Sequence, residues 1–240
     1  MKDYGENLDK QRSESETNGP MTGVTTALYI AASENNAPII GFLLDSLKSG
    51  EYSNTLIEVL LAADRWGDTA CCWAVRGNNV QALQEIRKWA DEAYVNPNEI
   101  KNKFFLAKDN EGFTVWHRAA QYGSLEALEL IWNWSKEEGL NPDELLLAQG
   151  ESGLTVLQLA VDENHVGIIQ KLWVWAEEGQ LNSNELKKNL LLAKDINGSI
   201  AWHRAARFGS LEALEILWNW SKEEGLNQDE LLLAQVEAGI

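Results

Sequence analysis

Cysteine, positive charge and long apolar runs are all scarce in this chain of 240 residues, and each shortage excludes something. The two cysteines, Cys71 and Cys72, are adjacent. Neighbouring thiols rarely bridge, and two of them supply neither a disulfide framework nor a zinc site. A reducing compartment is therefore the easier home. Lysine and arginine number 20 against 37 acidic residues, a net charge of −17. Such a surface repels phosphate backbones and anionic headgroups. That argues against nucleic acid and membrane as partners and favours another protein, a basic one on grounds of charge. No apolar run is long enough to span a bilayer. Residues Met1–Pro20 are polar and lack an apolar signal core, so they read as a disordered tail. The expected location is cytoplasmic or nuclear. Delivery into a host cell by a signal-peptide-independent route leaves the same signature. No P-loop, dinucleotide fingerprint or nucleophile elbow is present, and no cofactor is expected.

What the chain does have is internal repetition. Residues 116–149 and 202–235 agree at 29 of 34 positions, offset by 86 residues. The unit is itself double. Five segments share one core: Thr26–Ala32, Thr69–Val75, Thr114–Ala120, Thr155–Val161 and Ile200–Ala206, with starts spaced 43, 45, 41 and 45 residues apart. The spacings 45 and 41 differ by about one helical turn, so the insertion keeps an apolar face in phase. Repeats are set near 21–63, 64–107, 108–148, 149–193 and 194–235. Residues 236–240 begin a truncated repeat or form a cap; the sequence leaves fragment and cap both open.

Thr114-Val-Trp-His-Arg-Ala-Ala120 resembles the ankyrin signature T-P-L-H-x-A-A. Asp109–Gly112 and Asp195–Gly198 look like its D-x-x-G turn, and Gly123-Ser-Leu-Glu126 looks like its G-H-L-E. The resemblance runs from about Gly23 to the C-terminus and is weakest in the first repeat, where Val24 replaces the turn glycine. The usual proline is absent and each repeat exceeds the ordinary length by 8 to 12 residues, so a related helical solenoid is the alternative. The resemblance implies an all-α, ankyrin-type helical solenoid with β-turn or hairpin tips. The surplus length predicts an extra short helix per repeat.

In the third repeat, Thr114 opens a short first helix and Gly123 ends it. Ser124 is the expected N-cap of a second helix with Leu125, Leu128, Ile131 and Trp132 on one face. Asn141 as N-cap, Pro142 at the first helical position and Asp143 and Glu144 in the first turn predict a third helix. The 11 tryptophans include a repeated W-x-W, at Trp132/Trp134, Trp173/Trp175 and Trp218/Trp220. These fall where a core is expected; Trp66, in the turn Asp64–Gly67, is expected to be exposed. His117 and His203 occupy the ankyrin histidine position, whose family role is to order the turns. His165 reads as an isolated loop residue. The pairs Glu137/Glu138, Glu177/Glu178 and Glu223/Glu224 read as a solvated acidic ridge, not as an opposed catalytic pair. No metal site is expected.

The resemblance places ligands at the tips and first helices along a concave face. The matching positions are Arg65, Trp66, Asp68 and Arg76; Lys108, Asn110, Glu111, Phe113, Gln121 and Tyr122; Glu151, Ser152, Leu154, Asp162 and Glu163; and Lys194, Ile196, Asn197, Ser199, Arg207 and Phe208. The duplicated repeats differ at several of these and barely at packing positions, as solvent-facing sites would. Aromatic and arginine side chains dominate interface energetics, which selects Trp66, Phe113, Tyr122, Arg207 and Phe208 as anchors. The expected role is a non-enzymatic protein-interaction module, acting as adaptor, inhibitor or effector. A scaffold segment of a larger enzyme or toxin, and a self-assembling structural repeat protein, are the alternatives. Monomer or weak self-association is expected.

Overall fold

The first helices of successive repeats can approach closely because their facing positions are small. Ala31, Ala32, Ala74, Ala119, Ala120, Ala160 and Ala205 are all buried. The computed structural model describes residues 22–48, 55–92, 104–178 and 183–227. The polar tail expected over residues 1–20 and the stub at 236–240 lie outside these. Among the described residues the chain is all-α: thirteen helices, no strand, and an isolated antiparallel bridge between Gln149 and Thr155.

The first repeat holds α1 (Thr22–Ser33), α2 (Ala37–Lys48) and α3 (Thr55–Leu60). The second holds α4 (Ala70–Arg76) and α5 (Val80–Glu92). The third holds α6 (Val115–Gln121), α7 (Leu125–Glu137) and α8 (Pro142–Leu147), and the fourth α9 (Val156–Asp162), α10 (Val166–Glu177) and α11 (Ser183–Leu192). The fifth holds α12 (Ala201–Phe208) and α13 (Leu211–Glu223). Three helices per repeat, as the surplus length predicts, are present in repeats one, three and four. The corresponding segments of repeats two and five fall largely in 93–103 and 228–240, outside the described residues. First helices pack in a row, α1 on α4, α4 on α6, α6 on α9 and α9 on α12. Second helices form a parallel layer through α2–α5, α5–α7 and α10–α13 contacts, and α8 meets α11 beside it.

Helix boundaries follow local chemistry. Asn141 caps α8 by accepting from the Asp143 amide at 3.1 Å, with Pro142 at the first position. Ser124 behaves differently from expectation. Its hydroxyl donates backward to Val75 O of the second repeat, so it ties two repeats together instead of capping its own helix. In the first repeat, with Val24 in place of the turn glycine, α1 begins at Thr22 and runs straight through Thr26. The other four first helices start after an extended residue, at Thr69, Thr114, Thr155 and Ile200.

The tryptophans join repeats. The second ring of each W-x-W lies over the first-ring position of the preceding repeat. Trp175 stacks on Trp132 at 4.5 Å between centroids, and Trp220 on Trp173 at 4.2 Å. Where the second repeat has Arg87 instead, its guanidinium lies 5.7 Å from the Trp134 ring. Of the W-x-W rings expected in the core, Trp132, Trp173 and Trp175 are buried, and Trp134, Trp218 and Trp220 are half-buried; Trp116 is buried as well. Each such contact adds about 1 kcal/mol beyond the area it buries.

His117 is fully buried and uses both ring nitrogens. Nδ1 accepts from the Thr114 amide at 3.3 Å, and Nε2 lies 3.1 Å from Ala148 O, to which it donates. Gln158 does the same work in the fourth repeat. Its Oε1 accepts from the Thr155 amide, and its Nε2 donates to Ala193 O and Ser199 O. Burial is the first cause that pushes the His117 imidazole down to about 4. The unfolded chain therefore takes up this proton near pH 6.5, whereas the folded chain does so only near pH 4. Between those values falling pH favours unfolding, by up to roughly 3 kcal/mol. Urea denaturation at stepped pH should show stability declining from pH 6.5 to 4. His117→Gln should flatten this part of the curve while keeping stability near that of the parent at pH 7. An unchanged slope in that variant would refute the assignment.

Candidate interaction face

Three of the four tips are built on a carboxylate that holds its own turn. Asp64 Oδ1 accepts from the amides of Trp66 and Asp68, both at 2.9 Å. Asp109 Oδ1 serves Glu111 and Phe113 in the same way, and Asp195 Oδ1 serves Asn197 and Ser199. This is the Asx-turn chemistry that favours aspartate there. The fourth tip has no aspartate at that place. Gln149 instead donates to Gly153 O and, across the junction, to Lys194 O.

The tips are hydrogen-bonded in series. The Asn110 amide donates to Trp66 O at 2.9 Å, Glu151 to Glu111 O at 3.1 Å and Ile196 to Ser152 O at 3.1 Å. This close approach explains the turn glycine. Gly112 has φ of 74°, and a Cβ there would lie 2.5 Å from the Glu151 nitrogen. The tips and first helices thus form one continuous surface from repeat two to repeat five.

Arginines on the first helices lock the tips from below. Arg118 donates from Nε to Asp109 Oδ2 at 2.7 Å, from Nη1 to Gln121 Oε1 at 2.7 Å and from Nη2 to Glu111 Oε2 at 2.9 Å. The same Nε lies 4.0 Å from Asp68 Oδ1 of the preceding repeat. Arg204 repeats the design, with Nη1 on Asp195 at 2.8 Å and Nε on Asp162 of the fourth repeat at 2.7 Å. In the second repeat Trp73 stands in this position, and its indole nitrogen donates to Asp64 Oδ2 at 3.1 Å. Burial pushes the Asp68 carboxyl above its ordinary range, against the pull of Arg76 and Arg118. Asp162 is likewise raised by burial, against the hydrogen bond and charge of Arg204.

Most residues expected at the face do lie on its surface. Arg65, Lys108, Asn110, Glu111, Lys194, Ile196, Asn197, Arg207 and Phe208 are exposed; Arg76, Gln121, Tyr122 and Leu154 are half-buried. Phe208 is 50% and Ile196 71% exposed, which makes them the large apolar surfaces at this end. Four expectations need correction. Phe113 is buried, not exposed: its ring stacks on His117 at 5.5 Å and fills the space opposite Gly150, where a Cβ would lie 2.3 Å from it. Its counterpart Ser199 is buried as well, so the difference between the duplicates at this place is a packing difference. Trp66 is half-buried, with the Arg65 guanidinium 4.0 Å above its ring. Asp68 is fully buried.

Sequence reasoning missed the residues that organise the face: Trp73, Arg118 and Arg204, which look like ordinary helix positions. It also missed His165. This residue is no isolated loop side chain, because its Nε2 lies 3.1 Å from Gln121 O in the preceding repeat. Its ring occupies the space that a Cβ on Gly123 would need. Among the described residues there is no group of three or more His, Cys, Asp or Glu that could hold a metal ion. Nor is any helix there long and apolar enough to cross a membrane. Cys71 and Cys72 are buried free thiols, both pushed up by desolvation.

A scan against protein-family models finds no match to this chain, and a search of curated proteins finds none either.

Removing Arg118 leaves the buried Asp109 carboxylate without its ion-pair partner, a change that typically costs 3–5 kcal/mol. Arg118→Ala should therefore lower the urea stability by about 3 kcal/mol. Asp68→Asn, which removes a carboxylate already disfavoured by burial, should cost less than about 1 kcal/mol. Equal losses in the two variants would contradict the role given to Arg118.

Proposed function

We propose that this chain is an ankyrin-type repeat module that acts by binding another protein, and that the tip and first-helix surface is where the partner sits. The observation that carries this reading is the hydrogen-bonded row of tips, from Trp66 through Asn110 and Glu111 to Ser152 and Ile196. Such a surface is ordered before any partner arrives, so contact costs little conformational entropy. Its side chains also suit recognition. Arg76 lies 4.6 Å from the Trp73 ring and 5.3 Å from the Tyr122 ring, and Arg207 lies 5.6 Å from the Phe208 ring. Arginine and aromatic groups held this way are typical interface anchors.

Charge refines the partner. The chain carries −17, yet the tips and first helices hold Arg65, Arg76, Lys108, Lys194 and Arg207 beside the internally paired Arg118 and Arg204. The acidic surplus lies on the second and third helices. Basic character in a partner therefore serves long-range attraction, while contact at the face rests on apolar and guanidinium groups. A binding role, not a catalytic one, also agrees with the histidines. His117 and His165 spend ring nitrogens on backbone carbonyls, and His203 Nδ1 accepts from the Ile200 amide.

The test compares the full chain with a variant carrying Trp66→Ala, Tyr122→Ala, Arg207→Ala and Phe208→Ala, both immobilised and exposed to cell lysate. Circular dichroism and urea titration establish that the variant folds. The expected result is a protein retained by the parent and lost by the variant, each anchor contributing about 2 kcal/mol. Equal retention by both would move the site off this face, and no retention by either would overturn the binding role.

A further inference from the structure

Two stretches of nearly the same sequence have different surroundings, and this isolates what a following repeat covers. Trp116, His117, Ala120, Leu128 and Trp132 of the third repeat are buried, because the fourth repeat stacks on them. Their counterparts in the fifth repeat are not: Trp202, His203, Leu214 and Trp218 are half-buried and Ala206 is exposed. Leu211, the counterpart of half-buried Leu125, is 65% exposed. The trailing end of the stack is thus a ready-made stacking surface that lacks a successor among the described residues.

The leading end shows the converse. In the fourth repeat, Ile168 and Lys171 of α10 face backward onto the third. Ile168 is buried, and Lys171 Nζ reaches Glu129 at 2.7 Å. The same places on α2 are Ile39 and Phe42, which are 47% and 71% exposed. Ile39 is the same residue as Ile168, and Phe42 puts an aromatic ring where the interior repeat has a lysine stem. Asn36 stands where Asn79, Ser124, His165 and Ser210 each hydrogen-bond back to a carbonyl at the end of the preceding first helix.

We propose that a second copy of this chain docks head to tail, its α2 face around Ile39 and Phe42 stacking on the α12–α13 face around Trp202, Leu211 and Leu214. The contact continues the junction between repeats three and four. It is heterologous, so each added copy leaves one end of each kind open, and association proceeds to short rows instead of stopping at a closed dimer. Phe42 supplies aromatic surface to Trp218, since Ser46 occupies the place from which Trp175 stacks on Trp132. The net charge of −17 opposes the contact, so added salt strengthens it by screening. This inference does not depend on the partner-binding reading, because it uses the ends of the stack and not its tips.

The experiment is sedimentation velocity on the full chain from micromolar to submillimolar concentration, at low and at high salt. Alongside it run Phe42→Glu, Leu211→Glu and an equimolar mixture of the two. Both positions are solvent-facing, so both variants are expected to fold, as circular dichroism checks. The parent should show weight-average mass rising with concentration, and more so at high salt. Each variant alone should stay monomeric. The mixture should associate only to twice the monomer mass, because each variant retains one intact end. A parent that remains monomeric throughout would overturn the proposal. Association of either variant alone, or a mixture that stays monomeric, would overturn the head-to-tail geometry.

Discussion

The backbone groups left over at the ends of short helices must find partners, and in this protein they find them in the next repeat. A first helix of seven or eight residues has more orphan groups than internal bonds, and it ends close to its neighbour. Asn79, Ser124, His165 and Ser210 send donors back to carbonyls at the end of the preceding first helix. Asn35, Asn78 and Asn164, held at positive φ, accept from the amides of Ala82, Ala127 and Ala213 in the following second helix. Every junction between described repeats therefore carries at least one such polar bridge, buried at the first two and half-buried at the last two. A repeat removed from its neighbours would leave these groups unpaired, so the repeats hold one another in register.

The tips extend this logic to the surface. At three of the four tips an aspartate holds the turn and an arginine or tryptophan beneath it fixes the aspartate, and one backbone bond passes from each tip to the next. Arg118 and Arg204 also reach carboxylates in the repeat before their own. The exposed side chains that follow from this, chiefly Arg65, Ile196, Arg207 and Phe208, stand on a base that is already rigid. The face is thus pre-formed, as the proposed binding role requires.

Much of this was legible because the chain repeats itself. The five segments, the third helix with its Asn141-Pro142 start and much of the tryptophan core follow from the repeat pattern, and the turn-ordering role of His117 was what the ankyrin resemblance implied. What was not legible depends on where the neighbouring repeat arrives. Phe113 looks like a tip residue, and only the approach of Gly150 from the next tip buries it. His165 looks solitary because its acceptor, Gln121 O, is 44 residues away. Ser124 has the chemistry of a cap and spends it across the junction instead. Trp66 sits in a turn, yet Arg65 covers its ring.

Hydrogen exchange at the tip amides of Asn110, Glu151 and Ile196 tests this account most directly. All three residues have exposed side chains, but each amide is donated to the preceding tip. If bonding between repeats makes the tips one continuous surface, these amides exchange as slowly as the amides of the helices behind them. Exchange at the rate of an open loop would contradict it.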